Sequence, residues 1–331
     1  MQVFLTGGTG FIGANLVRQL LDRGVRVRCL TRKSSPGLCL EGLDVQIVQG
    51  DLQDTEQLKR LMDGCEQVYH LAGLFDPSPE GAQRMHEVHV GGTQALLDAG
   101  KSVGIQRLLL CSSSITVGFG SKASPGTEDT PLDPAIYGPE GPLRAYYESK
   151  LAAERLVASY QGVDTVTVNP DFILGRWDIK PTSGQLVLAM MRGWVPVYPK
   201  GGKCFMDADD CALGHIQAME RGRSRTRYLL GNENHSYRDF MAMISVVVGR
   251  RGPLFPMPRR LADLGGVVGS IGSRIDAHRF AGLDRYVLRS MGQERYRDAS
   301  RAIESFKLPR TPLELSIEKA ARWFTDHGYL D

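Results

Sequence analysis

Two adjacent tyrosines stand just before a lysine in "LRAYYESKLAAERL", residues 143–156, a stretch whose pattern predicts a helix. Tyr146 and Lys150 are four apart and share one helical face, whereas Tyr147 lies about 100° round and forms an i, i+3 pair with the same lysine. Spacing alone leaves both tyrosines open as proton donors. A phenol with an ordinary pKa near ten is a poor acid–base catalyst at neutral pH, and a neighbouring ammonium favours its ionised form. Bringing such a group to neutrality takes on the order of 4 kcal/mol, at about 1.4 kcal/mol per pH unit. Upstream, "CSSSITVG" sets Ser112, Ser113 and Ser114 at the end of a strand-like run. A hydroxyl there could hold a carbonyl oxygen for the phenol to protonate, although serines at strand ends are also ordinary turn formers.

A second chemical feature lies at the start of the chain. "TGGTGFIG" places Gly7, Gly8, Gly10 and Gly13 between a strand and a helix, with Thr9, Phe11 and Ile12 among them. Glycines at a strand-to-helix turn let backbone amides approach a pyrophosphate, and the free N–H groups and dipole of the helix stabilise its charge. Dinucleotide folds that select NAD carry an acid about 20 residues further on, at the end of the second strand. Here Thr31, Arg32 and Lys33 stand there, which predicts a 2′-phosphate and hence NADP(H), with NAD(H) the weaker expectation. The same two cations also read as loop charges in water. "GDLQD" then sets Asp51 and Leu52 at the carboxyl end of a third strand. Asp51 could accept from an adenine amino group or cap the next helix, where Asp54 is better placed. "HLAG" brings Leu71, Ala72 and Gly73 to the end of a fourth strand, where small residues would let a nicotinamide ribose lie on the backbone; His70 reads as a packed strand residue.

Positioning these residues needs alternating strands and helices. "QVFLT", "VRVRCLT", "DVQIV", "QVYHLA", "RLLLCSS" and "TVTVNP" read as strands, with helices between them, one closed by Gly24 and others near 54–63 and 83–102. Such alternation predicts an α/β Rossmann fold, a doubly wound parallel sheet, with a smaller, mostly helical C-terminal substrate lobe. The nucleotide domain is expected over 1–170 and 196–232, and the lobe over 171–195 and 233–331. "YLLG" near 228–231 reads as one more strand. After Pro170 the pattern predicts something other than sheet.

Composition narrows the function. Of 331 residues, 42% are hydrophobic and 23% charged, as in an ordinary globular chain. Forty basic residues against 37 acidic leave a net charge of +3, so a polyanion would need local clustering. Arginines gather at 221–227 and 289–297 with no known DNA-binding pattern, which reads as a solvated face and not as a nucleic-acid surface. Six cysteines form no CxxC pair, and no metal site is expected. No signal sequence is apparent, and the stretch "LADLGGVVGSIG" from Leu261 is too polar for a membrane span. A cytoplasmic enzyme acting on a small molecule, as a monomer or homodimer, is expected.

These motifs, in this order, resemble the extended short-chain dehydrogenase/reductases, the NAD-dependent epimerase/dehydratase family that includes dihydroflavonol reductases and sugar-nucleotide epimerases and dehydratases. "TGGTGFIG", "GDLQD", "VYHLAG", "YYESK", "NPDFILG", "FMDADDCALGH" and the terminal "YRDASRAIES" all take part, so the resemblance covers nearly the whole chain. It implies catalysis by Ser114, Tyr146 and Lys150, with Lys150 also bonding the nicotinamide ribose. It further implies that the backbone around Pro170 and Phe172, with Ser112, meets the nicotinamide. One departure is plain: His89 in "HVGGT" stands where the family usually shows an asparagine.

Three features favour a ketone or aldehyde reductase over the alternative, a sugar-nucleotide epimerase or dehydratase. Thr31–Arg32–Lys33 suits NADPH; Ile115 and Thr116 replace the acids that the resemblance associates with dehydration; and Lys203 stands where sugar-nucleotide enzymes carry a diphosphate-binding arginine. Lys203 or Arg176 remains a candidate for phosphate under the epimerase reading. Phe75, Phe119, Tyr137, Phe172, Trp177 and Trp194 suggest an apolar, aromatic substrate wall, with Asp171 beside it touching substrate or capping a turn.

Overall fold

Seven short apolar segments line up in parallel to form the central sheet of the computed structural model, which describes residues 1–32, 39–258 and 285–330; Lys33 and the stretch from Leu261 lie outside these. The strands are β1 (Gln2–Thr6), β2 (Arg26–Thr31), β3 (Gln46–Gln49), β4 (Gln67–His70), β5 (Arg107–Cys111) and β6 (Asp164–Pro170). After β7 (Phe172–Leu174), β8 (Val197–Tyr198) and β9 (Gly202–Asp207), β10 (Thr226–Leu230) completes the sheet in the order β10-β6-β5-β4-β1-β2-β3. Val3, Leu5, Val68, Leu109, Val166 and Val168 are buried, as expected where helices cover both sheet faces. The strand order reverses between β1 and β4, where Thr6 pairs with His70; such a switch point opens the crevice that binds nucleotides.

Helices α1 (Phe11–Asp22), α2 (Thr55–Met62), α3 (Gly81–His86), α4 (Gly92–Val103) and α5 (Pro142–Ser159) connect the first six strands. Gly24 closes α1 in the left-handed region at φ 71°, and Asp54 caps α2 by accepting from the Gln57 amide. Between α3 and α4 the helix widens into a π turn over Glu87–Gly91. Pro142 starts α5, whose buried stripe carries Tyr147, Lys150, Ala153, Glu154 and Val157 toward the sheet.

The expectation that no sheet follows Pro170 is corrected. There β11 (Glu233–Ser236), β9 and β13 (Glu294–Arg295) lie side by side, with β7 on β9, in a second four-stranded sheet. β7, β11 and β13 have two to four residues each, too few to show the alternation by which a strand is read. Helices α6 (Gln185–Arg192), α7 (Ala208–Arg221) and α8 (Tyr237–Val247) follow, with helical segments Ser300–Phe306 and Leu313–Asp326 near the end. α7 packs on α1, while α6, α8 and Leu313–Asp326 form a separate core around Phe205, Phe240, Ile317 and Phe324. Among the described residues no helix is long and apolar enough to cross a membrane.

Candidate active site

The glycine turn is shaped by close backbone approach. Gly7 has φ 77°, and a Cβ on it would lie 2.6 Å from the Leu71 carbonyl carbon. A Cβ on Gly13 would come within 2.1 Å of the Gly7 oxygen, so the first turn of α1 can sit on the loop only without a side chain. Gly10 occupies the N-cap, no side chain caps α1, and no acid lies in its first turn. The exposed N-terminal amides of α1 thus face the crevice unneutralised, the donor set that a pyrophosphate requires. Thr9 and Gly10, with the half-buried Phe11 and Ile12, form its rim. This cradle fits a dinucleotide cofactor.

Other residues expected at the cofactor distribute around that crevice. Thr31 ends β2, and Arg32 follows it on the surface. Asp51 is exposed and accepts from the Gln53 amide at 2.9 Å, while Leu52 packs under Gly92 of α4. Leu71 and Ala72 are tied to β1 through the Thr6 carbonyl and hydroxyl, at 3.1 Å each. Pro170 is buried at the end of β6, and Phe172 packs on Phe205 and Phe240. The Ser112 hydroxyl proton is taken: it goes to the buried Glu154 carboxylate, which also receives Thr116 at 2.6 Å and Asn169 at 2.7 Å.

The two tyrosines separate sharply. Tyr147 is buried, its ring 5.3 Å from that of Tyr137, which is itself fully buried with its hydroxyl donating to the Ile115 carbonyl at 2.8 Å. Tyr146 is half-buried at the edge of the helix, meeting Phe75 and His89 edge-on at 5.7 Å each. The Lys150 ammonium lies 6.0 Å from the Tyr146 ring centroid and donates to the Cys111 carbonyl at 3.2 Å. It also approaches Gly73, whose added Cβ would be 3.1 Å from Nζ and 3.2 Å from His89 Nε2. Tyr146, Lys150, His89 and Gly73 therefore converge at the ends of β4 and β5.

Protons fix the state of the histidine that departs from the resemblance. His89 Nε2 accepts from the Leu74 amide at 3.1 Å, so Nδ1 carries the proton and donates to Ser149 Oγ at 2.9 Å; Ser149 in turn donates to the Tyr146 carbonyl at 3.1 Å. Burial, then the Lys150 charge, pushes His89 down to about 2. His70 forms a parallel chain. The single Thr93 hydroxyl proton goes to the His89 carbonyl, so His70 Nε2 donates to Thr93 at 3.1 Å and Nδ1 accepts from Thr6 at 2.7 Å. Burial and then Lys150 lower His70 to about 3. Both rings are neutral braces between the helix bearing His89 and the ends of β1 and β4.

Ser114 opens a tight turn over Ser114–Thr116 that packs on α5; it is buried, and its hydroxyl is the least of the groups that help to lower the Asp171 carboxyl. Asp171, whose side chain is 1% exposed, is bound by Arg297 at 2.6 Å and by Lys203 at 3.3 Å. Burial opposes its ionisation, but Arg297 and then Lys203 outweigh that and hold it below the usual carboxylate range. Burial lowers Lys203 to about 8 despite Asp171. Arg297 also donates to the carbonyls of Ser114 at 2.7 Å, Val117 at 2.9 Å and Gly118 at 3.2 Å, pinning the loop after β5. Arg297 escaped the sequence reading, since 126 residues separate it from Asp171 and no local pattern links them.

Of the expected substrate wall, Phe75 is at Tyr146, while Phe119 lies with Tyr137 around Arg295. Trp177 is drawn elsewhere: the Arg18 guanidinium stacks on it at 3.4 Å, and Trp323 packs on its ring at 6.2 Å. Trp194 is half exposed and donates to the Gly252 carbonyl at 3.2 Å.

The family model for the NAD dependent epimerase/dehydratase family matches residues 3–231. A putative dihydroflavonol 4-reductase of Synechocystis sp. is 34% identical over 350 residues, covering 99% of this chain and 95% of its own. Sterol demethylase protein B of Methylococcus capsulatus is 27% identical over 334 residues, covering 100% of both. The crystal structure of gox2253 superimposes with a TM-score of 0.84 at 27% identity over 99% of each chain. PA4631, a nucleoside-diphosphate-sugar epimerase from Pseudomonas aeruginosa, gives 0.79 at 24% identity over 100% of this chain and 99% of its own, a likeness of fold.

Proposed function

The chain belongs to the NAD dependent epimerase/dehydratase family, a family of NAD(P)-dependent oxidoreductases acting on CH–OH and C=O groups, and from that premise we propose an NADPH-dependent reductase of a small, hydrophobic or aromatic ketone or aldehyde. The observation that carries this reading is the half-buried Tyr146, edge-on to Phe75 and beside Lys150, while Tyr147 is packed away on Tyr137. The reductase name of the Synechocystis relative supports it.

In this reading Gly7, Gly10, Gly13 and the first turn of α1 hold the pyrophosphate, and Arg32 holds a 2′-phosphate. NADPH, when bound, supplies the hydride. Tyr146 delivers its phenolic proton to the carbonyl oxygen, and Lys150 steadies the resulting phenolate while holding a ribose hydroxyl. Ser114 orients the same oxygen. His89 and His70 keep the loop after β4 in register. The nucleotide unit is assigned to 1–170 and 196–232, within which β9 lies at the centre of the small sheet and α7 returns to pack on α1, and the substrate lobe to 171–195 and 233–331.

The epimerase alternative is less well supported by the cations assigned to it. Lys203 is already paired with Asp171, and Arg176 is exposed and paired with Asp209 at 3.2 Å. An NADPH depletion assay over a panel of aromatic ketones tests the proposal. Tyr146→Phe should lower kcat by about 10²–10⁴ with NADPH affinity kept, and Arg32→Ala should lower the NADPH to NADH ratio of kcat/KM. A protein that consumes no NADPH with any carbonyl and purifies with tightly held nicotinamide refutes the reductase reading.

A further inference from the structure

Among the described residues, Arg295 is one of several buried side chains with unpartnered polar atoms, and it leaves two of them on one guanidinium edge. It is 5% exposed, yet Nε and Nη2 have no hydrogen-bond partner. Those two nitrogens form one edge of the guanidinium, the edge whose parallel N–H groups match the two oxygens of a carboxylate. The rest of the group is covered, with Phe119 and Tyr137 ring centroids 4.9 and 5.2 Å from Cζ.

Charge gives a second, independent reason. Arg295 stands opposite Lys203 in the pairing of β13 with β9, and Arg297 is two residues on. Among the described residues the acid facing this group is Asp171, and it is taken by Arg297 and Lys203. Two buried guanidiniums and the half-buried Lys203 thus meet one buried carboxylate. An unmatched buried cation costs several kcal/mol unless an anion or hydrogen-bond acceptor completes it. The cluster also lies beside the loop bearing Ser114: Arg297 donates to the Ser114 carbonyl at 2.7 Å, and Tyr137, which packs on the Arg295 guanidinium, donates to the Ile115 carbonyl at 2.8 Å.

We propose that the Nε–Nη2 edge of Arg295 is a substrate-anchoring site that receives a carboxylate, so that the carbonyl compound reduced here is an oxo acid whose aromatic or apolar body lies along Phe119. Arg297 and Lys203 contribute no free edge. They fix Asp171 and Ser114 and add positive potential behind the anchor. The inference rests on the reductase reading of the Tyr146 site, which it refines by naming the substrate class.

The test titrates the protein, saturated with the oxidised nicotinamide dinucleotide it binds, with benzoate, with the neutral isostere benzamide and with inorganic phosphate. Benzoate should bind at least about tenfold more tightly than benzamide, in keeping with a charge-assisted bidentate contact. Arg295→Met, which preserves bulk, should erase that preference, and Arg295→Lys should restore part of it; thermal melts establish that both fold. Equal affinity for benzoate and benzamide, no saturable benzoate binding, tighter phosphate than benzoate, or an undiminished preference in Arg295→Met would each overturn the proposal. If Arg295→Met does not fold, the wild-type comparison decides alone. Loss of neutral-ketone reduction or of dinucleotide binding is measured separately and counts against the reductase reading, not against the anchor.

Discussion

Replacing His89 by glutamine probes the brace behind Tyr146 through the pH dependence of stability. The folded ring sits at about 2 because it is buried beside Lys150, whereas an unfolded histidine has a pKa near 6.5. The folded state therefore binds fewer protons. Stability is full above pH 6.5 and is lost as pH falls from there toward the folded value, by about 1.4 kcal/mol per unit. At pH 5 the loss attributable to His89 alone is about 2 kcal/mol. His70 at about 3 and His215 at about 4, both depressed first by burial, add comparable losses, while Asp178, raised by burial to about 6, gains stability over the same window and offsets part of them. Urea melts followed by tryptophan fluorescence at pH 7, 6 and 5 should show that His89→Gln reduces the acid-induced loss by about 2 kcal/mol at pH 5. The variant should cost about 1–3 kcal/mol at pH 7 if glutamine fails to serve both the Leu74 amide and Ser149. An unchanged difference between pH 7 and pH 5 would refute the assignment of His89 as a permanently neutral donor and acceptor.

Tyr147→Phe keeps the ring packed on Tyr137 and should leave kcat within about threefold of wild type, well short of the range that general acid catalysis spans; steady-state kinetics showing it more harmful than Tyr146→Phe would reverse the assignment. Gly13→Ala places a methyl group 2.1 Å from the Gly7 oxygen, and because both partners are backbone the turn must open. Overpacking of this kind costs about 1–3 kcal/mol, and fluorescence titration should show NADPH affinity reduced at least as far, whereas Gly10→Ala, with 3.2 Å available, should be milder. Asp171→Asn leaves Arg297 and Lys203 without their buried counter-charge and should lower unfolding free energy by about 3–5 kcal/mol in denaturant melts.

How far the sequence could be read depended on how far apart the interacting residues stand. Strands β1 to β6 and β10 were legible because each is a short apolar run between turn signals, and α1 ended before Gly24, as its punctuation predicts. The glycine turn was legible for the same reason: its chemistry is contained in eight consecutive residues. Spacing within a helix did not choose between Tyr146 and Tyr147, because the choice depends on what each ring packs against. Tyr137, distant by ten residues in sequence, takes Tyr147 into the interior, while Phe75 and His89 border Tyr146. The surroundings of the aromatic residues were not legible either, since Trp177 is stacked by the Arg18 guanidinium, a partner from a distant part of the chain.

The least legible element is the charged cluster, and the reason is topological. Asp171 follows β6 in the large sheet, whereas Lys203, Arg295 and Arg297 come from or just after β9 and β13 of a second sheet whose strands are too short to read. In sequence, "ERYR" near 294–297 is one more basic patch, indistinguishable from the exposed Arg221, Arg223 and Arg225. Burial changes its meaning. An exposed arginine is satisfied by water, but Arg297 replaces that water with three carbonyls and a carboxylate, and Arg295 replaces it with two aromatic faces and an unfilled edge. The same residue type two positions apart thus serves once as a clamp on the loop bearing Ser114 and once as an incomplete contact. The second keeps a whole guanidinium edge for a substrate.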